Sequence, residues 1–446
     1  MFDKILIANR GEVALRVIRA AKEMGIATVA VYSEADRDTE PVRMADEAVC
    51  IGPAQSAKSY LSIPALIGAA QITGAQAIHP GYGFLAENSD FARACVDNDI
   101  VFIGPDADVM DALGNKSNAK DTAARANVPT VPGSDGVVET VEEARAFAEQ
   151  VGYPVLVKAS AGGGGKGMRE VMGPDDMESA FTTAKNEALA AFGNGDVYVE
   201  KLILRPRHVE IQVLADTHGN MIHLCERDCS IQRRHQKLIE EAPSPALTEE
   251  LRQEMGATAL RMVAASGYTN AGTVEFLLDV DNSYYFMEMN ARVQVEHGVS
   301  EFITGIDIIK EQIRIAAGEE MSCADRAPIS PFGHAIEFRI NAEDPDNDFR
   351  PSPGTITKLR MPGGPGIRID THLYEGCTIP PYYDSMLAKL VVWGYTRDEA
   401  IDRARRALDE FVVEGVPTTV SFHRSVVDNL AFIRGEIYTD FLETEM

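Results

Sequence analysis

The sequence predicts an α/β protein, α+β overall, that opens with a doubly wound parallel sheet. Three observations carry this. Apolar strand-like runs alternate with helical stretches from residue 4 onward, the pattern of βαβ units. The 446 residues allow about three domains. Pro- and Gly-rich stretches, VPTVPGSDG in the junction 113–135 and Pro351 to Pro365, interrupt the alternation.

The elements follow in order. ILIAN (4–8) reads as a buried strand, and Gly11 to Met24 as a helix with Val13, Leu15, Val17, Ile18 and Ala21 on its apolar side. Gly25 ends that helix and Ala27 to Tyr32 is the next strand. The turn Asn9-Arg10-Gly11-Glu12 lacks GxGxxG, so a dinucleotide fingerprint is absent. A helix at 63–73, a strand at 76–78, a helix at 88–98 and a strand at 100–103 continue the alternation. Between them HPGYGF either lines a site or makes a structural turn. A short helix containing Lys116 leads into a new unit near Val131. It holds a helix (140–150), strands at 155–159 and 168–171, a helix (175–191) and a strand at 197–201.

The glycine run Ser160 to Gly167 sits between two of those strands. It is not a Walker A loop, because Ser160 replaces the first Gly and Gly167 follows Lys166. Glycines there allow a hairpin whose backbone N–H groups fold over phosphates, or a plain surface loop. Lys158, on an apolar strand, calls for an anionic partner.

Residues 208–216 read as an alternating strand. HLCERDCSIQRRHQK then reads as a basic loop in an acidic protein, either a small-anion site or a solvated charge run. A helix (247–266) leads to EFLLDVDNSYYFMEMNARVQVEH, read as a hairpin around Asp281-Asn282. That turn makes Glu275 face Glu288, and alternation places Glu288, Asn290, Arg292, Gln294 and Glu296 on one side. Paired carboxylates and an amide are hard oxygen donors suited to a divalent cation. Arg292 could grip an anion and Glu296 serve as a base; a solvated edge hairpin is the other reading. A helix (303–316), a strand at 334–344 carrying Glu337 and Arg339, a strand at 387–393 and a helix (397–410) complete the chain.

The charge of −26 disfavours general nucleic-acid binding. No run approaches the ~18 apolar residues of a membrane span, and the N-terminus is not built as a signal peptide. Six scattered cysteines fit a reducing, cytoplasmic setting. Only His223, Cys225, Cys229 and His235 approach zinc spacing, without the second CxxC that would strengthen it.

KILIANRGE, AIHPGYGFLAEN, VKASAGGGGKGMR, RHVEIQVL, ERDCSIQRRHQK, FMEMNARVQVEH, RINAEDP and PPYYDSM, in this order, closely resemble the biotin carboxylase family of the ATP-grasp superfamily, end to end. The resemblance implies an N-terminal doubly wound pre-ATP-grasp domain (1–113), an ATP-grasp region (114–330) with a mobile lid (131–203), and a C-terminal domain (331–446). It implies a free-standing subunit that carboxylates biotin on a carrier protein, using ATP, Mg²⁺ or Mn²⁺, and bicarbonate, through carboxyphosphate. Carboxyltransferase subunits and a homodimer are the implied partners, and acetyl-CoA carboxylation for fatty acid synthesis the implied context. A propionyl-CoA or pyruvate carboxylase complex, another ATP-grasp ligase, or a nucleotide-binding subunit without turnover are the alternatives.

Position by position, Lys116, Lys158 and the glycines Gly163, Gly164 and Gly165 match the ATP-phosphate contacts. Glu200, Lys201, Ile203, His208 and Gln232 match nucleotide contacts, with His235 at the phosphate end. Glu275, Glu288 and Asn290 match the metal site. Lys237, Arg292, Gln294, Val295 and Glu296 match the bicarbonate pocket, and Arg339 matches the residue facing biotin. Two departures stand out. Gly298 replaces a usual proline after Glu296-His297, which predicts a softer backbone there. Pro365 replaces a bulky residue at a dimer contact, leaving Arg16, Arg19 and Glu23 to suit a homodimer.

Overall fold

The computed structural model describes residues 1–159, 168–192 and 194–446. The chain divides into two compact units. The larger comprises Met1–Val128, Arg207–Phe276 and Glu288–Met446; the smaller comprises Pro129–Pro206 and Leu277–Met287. The segments expected as N- and C-terminal domains thus share one unit.

In the larger unit, β1 (Lys4–Ile7), β2 (Ala27–Ser33), β3 (Glu47–Gly52), β4 (Ala77–His79) and β5 (Val101–Phe102) form a parallel sheet of order β3-β2-β1-β4-β5. Its order reverses at β1, as in a doubly wound fold. Ile5, Leu6 and Ile7 are fully buried because parallel strands carry helices on both faces. Their core runs on through Leu224, Val299, Ile303 and Ile309 to Val391, so the sheet and the later segments share apolar packing.

The smaller unit holds an antiparallel sheet of β6 (Val155–Ala159), β7 (Met168–Val171) and β8 (Val197–Lys201), with β6 in the middle. Helices Val141–Val151 and Met177–Phe192 accompany it, and Ala144, Ala148, Val157, Phe181 and Val199 form its core.

An eight-stranded sheet organises the rest. It contains β9 (Arg207–Ala215), β10 (Met221–Arg233), β11 (Gln236–Ala242), β12 (Asn270–Leu278), β13 (Tyr284–Asn290) and β14 (His334–Asn341). Its order is β13-β12-β9-β10-β11-β14, then Met386–Gly394 and Ile367–Thr371.

Several expectations are corrected here. The presumed basic loop is the β10–β11 hairpin, in which Arg233 faces Gln236 and Gln232 faces Lys237. Arg234 and His235 make its turn with φ of +49° and +66°, a conformation usually left to Gly or Asn. Charge pointed to a loop, but Arg227 is paired across strands and fully buried. β9 alternates in sequence yet is buried along its whole length, since Glu210 and Gln212 find partners inside. The expected helix 303–316 is two helices, His297–Thr304 and Ile308–Ala316, separated at Gly305 with φ +68°.

The β12–β13 turn is wider than expected. Asp279 N–H donates to the Ser283 carbonyl and Asn282 N–H to the Asp279 carbonyl, with Asn282 alone left-handed at φ +69°. The loop therefore holds three residues, which shifts the closing pair by one from the register that opposed Glu275 to Glu288. Alternation also breaks: Met287 and Glu288 are both exposed, Met289 and Asn290 both buried. The strand stops at Asn290, so Arg292, Gln294 and Glu296 lie on a loop rather than on its continuation. Gly298 is no loosened linker either. It sits buried in the first turn of helix His297–Thr304, where an added Cβ would stand 3.1 Å from Glu337 Oε2 and 3.3 Å from Val391 Cγ2.

Away from this face, buried Glu241 accepts from Arg397 Nε and His334 Nε2, both at 2.7 Å. Burial pushes its carboxyl up, but Arg397 and His334 outweigh that and bring it down to about 2. A depressed carboxylate contributes stability above its unfolded value near 4.5, and loses it as pH falls toward about 2. Glu241→Gln should therefore cost about 2–3 kcal/mol at pH 7, with the deficit shrinking below about pH 4.5 in urea unfolding. A deficit independent of pH would contradict this.

Candidate active site

Two strands and one loop bring carboxylates to a single ammonium on a third strand. Lys237 on β11 donates to Glu210 on β9 at 2.6 Å, Glu275 on β12 at 3.0 Å and Glu296 at 2.7 Å. The lysine is largely buried, and burial alone would lower its pKa. The three carboxylates, Glu210 first, reverse that and hold it well above its ordinary value.

Glu296 is fully buried at the N-terminus of helix His297–Thr304. Its second oxygen accepts from Arg339 NH2 at 2.9 Å. Burial favours the protonated form, but Lys237, then Arg339 and Arg227, hold it well below the usual carboxylate range. Arg339 on β14 also donates from Nε to Glu240 at 2.6 Å. Glu240 is pushed by burial up to about 7, with Arg339 resisting and Glu296 adding to the rise. Cross-strand from it, Glu337 is fully buried, makes no hydrogen bond through either oxygen, and is held well above the usual range by burial.

Glu275 is a second hub. Its Oε1 accepts from Asn290 at 2.9 Å and Gln294 at 3.2 Å, and His208 Nε2 lies 3.1 Å from its Oε2. Burial works against its ionisation, but Lys237 and His208 keep it depressed. Asn290 and Gln294 also accept from Arg292, at 3.0 and 2.7 Å, and Arg292 Nε donates to Glu87 at 3.0 Å. Glu288 is exposed. Carboxylate and amide oxygens at Glu275, Glu288 and Asn290 are the donors a magnesium or manganese ion takes, and the ionised state of Glu275 fits that use.

The Val295 carbonyl accepts from Lys389 at 2.7 Å, a lysine fully buried in the strand Met386–Gly394. Gln232 stands opposite Lys237 in the β10–β11 ladder, and His235 is exposed at the turn. Lys116 opens the helix Lys116–Arg125. In the smaller unit Lys158 donates to Glu200 at 2.9 Å, Lys201 donates to the Gly152 and Tyr153 carbonyls, and Ile203 is buried. Gly163, Gly164, Gly165 and Lys166 lie outside the described residues.

Sequence reading missed Glu210 and Lys389, and gave Arg227, Glu240 and Glu337 no place beside Glu296. Lys389, within MLAKLVVW, carried the same signal as Lys158, a cation in an apolar strand. Arg227 carried only the signal of a basic run, because its partners Glu210, Gln212, Ser300 and Thr273 are remote in sequence. Among the described residues His223, Cys225 and Cys229 form no metal cluster. The groupings present are His208, Glu210 and Glu275, and Glu210, Cys229 and Glu296. Arg16 is buried against Glu301 and Asp307, and Glu23 pairs with Lys310 2.6 Å away. Arg19, in contrast, is exposed.

Family models place these features. The model described as biotin carboxylase, N-terminal domain, matches residues 1–110. The carbamoyl-phosphate synthase L chain, ATP binding domain, matches 115–324, and the biotin carboxylase C-terminal domain matches 337–444. The carboxylate-ringed lysine lies largely within the ATP-binding match, which makes this an ATP-grasp ligase. A biotin carboxylase from Nostoc is 57% identical over 442 residues, covering 99% of both chains. A solved Campylobacter jejuni biotin carboxylase–ATP complex is 49% identical, covers 99% of both chains and superposes with a TM-score of 0.90. The biotin carboxylase domain dimer of Hydrogenobacter thermophilus 2-oxoglutarate carboxylase, solved with MgADP, ADP and bicarbonate, is 50% identical. It covers 99% of this chain and 97% of that one, with a TM-score of 0.88. The chain belongs to the biotin carboxylase family.

Removing the central cation should be costly, because three buried carboxylates would lose their partner. Lys237→Met should lower stability by about 3 kcal/mol or more, read as a depressed melting temperature. An unchanged melting temperature would show that Lys237 does not neutralise the cluster.

Proposed function

We propose that the enzyme uses ATP to convert bicarbonate to carboxyphosphate and passes the carboxyl group to N1′ of biotin on a carrier protein. The product then serves carboxyltransferase subunits that carboxylate acetyl-CoA for fatty acid synthesis. The observation that carries this reading is Glu296, a fully buried carboxylate bridged by Lys237 and Arg339.

Bicarbonate becomes a competent nucleophile once its remaining proton leaves, and Glu296 is the base placed for that. So tightly paired, the carboxylate is always ionised but weakly basic. A bicarbonate anion competing for Lys237 would draw that cation off Glu296 and raise its proton affinity as substrate binds. Arg292, steered by Glu87, Asn290 and Gln294, supplies a planar fork for the anion, with Gln294 and Val295 beside it.

Lys116, Lys158 and the glycines Gly163, Gly164 and Gly165 serve the ATP phosphates, with His235 at their end. Glu200, Lys201, Ile203, His208 and Gln232 serve the nucleotide. Glu275, Glu288 and Asn290 would hold the divalent ion, which when bound offsets charge on the phosphates. After carboxyphosphate breaks down, its phosphate takes the proton from biotin N1′, and Arg339 stabilises the enolate oxygen. The segment 131–203 acts as a lid that keeps water from carboxyphosphate. The enzyme works in the cytoplasm as a homodimer; among the described residues no helix is long and apolar enough to cross a membrane.

ADP release should depend on bicarbonate and rise with free biotin; ADP formed equally without bicarbonate would overturn the reading. Glu296→Ala should abolish bicarbonate-dependent turnover while nucleotide binding persists, and retained turnover would remove Glu296 as the base. Arg339→Ala should lower biotin carboxylation more than bicarbonate-dependent ATP cleavage, and equal losses would remove its role toward biotin.

A further inference from the structure

Strand β14 is paired unequally on its two sides. Toward Met386–Gly394 the ladder runs through Arg339↔Lys389 and Ile340↔Ala388. Toward β11 the pairs end at Ile239↔Phe338, one residue short of Arg339. A buried carbonyl just past the end of a ladder needs another donor. The Arg339 carbonyl has two, Thr419 Oγ1 at 2.8 Å and His423 Nε2 at 2.7 Å. Thr419 also accepts from Asn341 N–H at 2.9 Å and returns its own N–H to the Asn341 carbonyl at 3.1 Å. The entry to helix Val420–Val427 thus stands in for the missing strand edge.

His423 has little else to do. It is fully buried, edge-on to Phe338 and Phe422. Its Nδ1 makes no hydrogen bond, so among the described residues the ring's one polar partner is the Arg339 carbonyl. Burial brings its pKa down to about 4, which leaves the ring neutral at physiological pH. A neutral ring that donates from Nε2 has one fixed tautomer.

We infer that Thr419 and His423 are positioning residues that clasp the backbone of Arg339 and so aim its guanidinium at the reacting end of the site. The inference rests on the role proposed above for Arg339. The head of that side chain is held by Glu240 and Glu296. When a substrate draws it from Glu296, the clasp and Glu240 keep its direction. Small errors in that direction are costly to a group that acts on a developing charge.

The test pairs Thr419→Val with His423→Phe, which keep shape and remove both donors. Carboxylation of free biotin should fall about tenfold. Bicarbonate-dependent ADP release without biotin should stay within about twofold, because it does not use the aimed guanidinium. In an Arg339→Lys background the same pair should cost less than about twofold more, since the group it positions is gone. Should the double variant not fold, Thr419→Val alone carries the comparison against Thr419→Ser, which keeps the hydroxyl and should behave as wild type. Equal losses in both activities, or a full further loss in the Arg339→Lys background, would overturn the clasp. An Arg339→Lys enzyme that carboxylates biotin at the wild-type rate would overturn the role of Arg339, and the positioning proposal with it.

Discussion

The structure depends on one ammonium group holding three buried carboxylates. Glu210, Glu275 and Glu296 arrive from β9, β12 and the head of a helix, and Lys237 is within 3.0 Å of all three. Without it, three anions in a poorly solvated space would repel, shift toward neutrality or separate. With it, the strands that carry them converge, and a charged pocket forms inside a packed sheet. The arrangement also explains why the site tolerates so much acid. Arg227 and Arg339 form a second ring of cations around the first ring of anions.

That balance gives the site its readiness. Glu296 and Glu275 are ionised because cations face them, whereas Glu240 and Glu337 are pushed toward neutrality because burial prevails. Carboxyl groups of one residue type are thereby pushed in opposite directions by surroundings alone.

The fold was legible where periodicity is local. The N-terminal βαβ alternation and the three strands of the smaller unit lie where apolar runs put them, because each is set by its own sequence and flanking glycines. In the candidate site, four residues singled out from the hairpin motif do converge: Glu275, Asn290, Gln294 and Arg292 share hydrogen bonds. What failed was everything decided at a distance. The β10–β11 run looked like a loop because its charges are neutralised by residues far along the chain. The β12–β13 register moved by one residue because a three-residue turn competes closely with a two-residue one, and only packing decides. Glu296 was read as part of a strand, though its place is set by the helix it opens.

Gly298 gives that last point a further meaning. Having no side chain, it lets helix His297–Thr304 lie against β14, with Glu337 and Val391 directly beneath. Glu296 stands two residues earlier, at the mouth of the same helix. The spacing between helix and sheet is therefore also the height at which the Glu296 carboxylate meets Lys237 and Arg339. A single missing methyl group thus acts as a spacer beneath a buried ion-pair cluster, and a larger residue at 298 would lift one helix end and loosen that cluster.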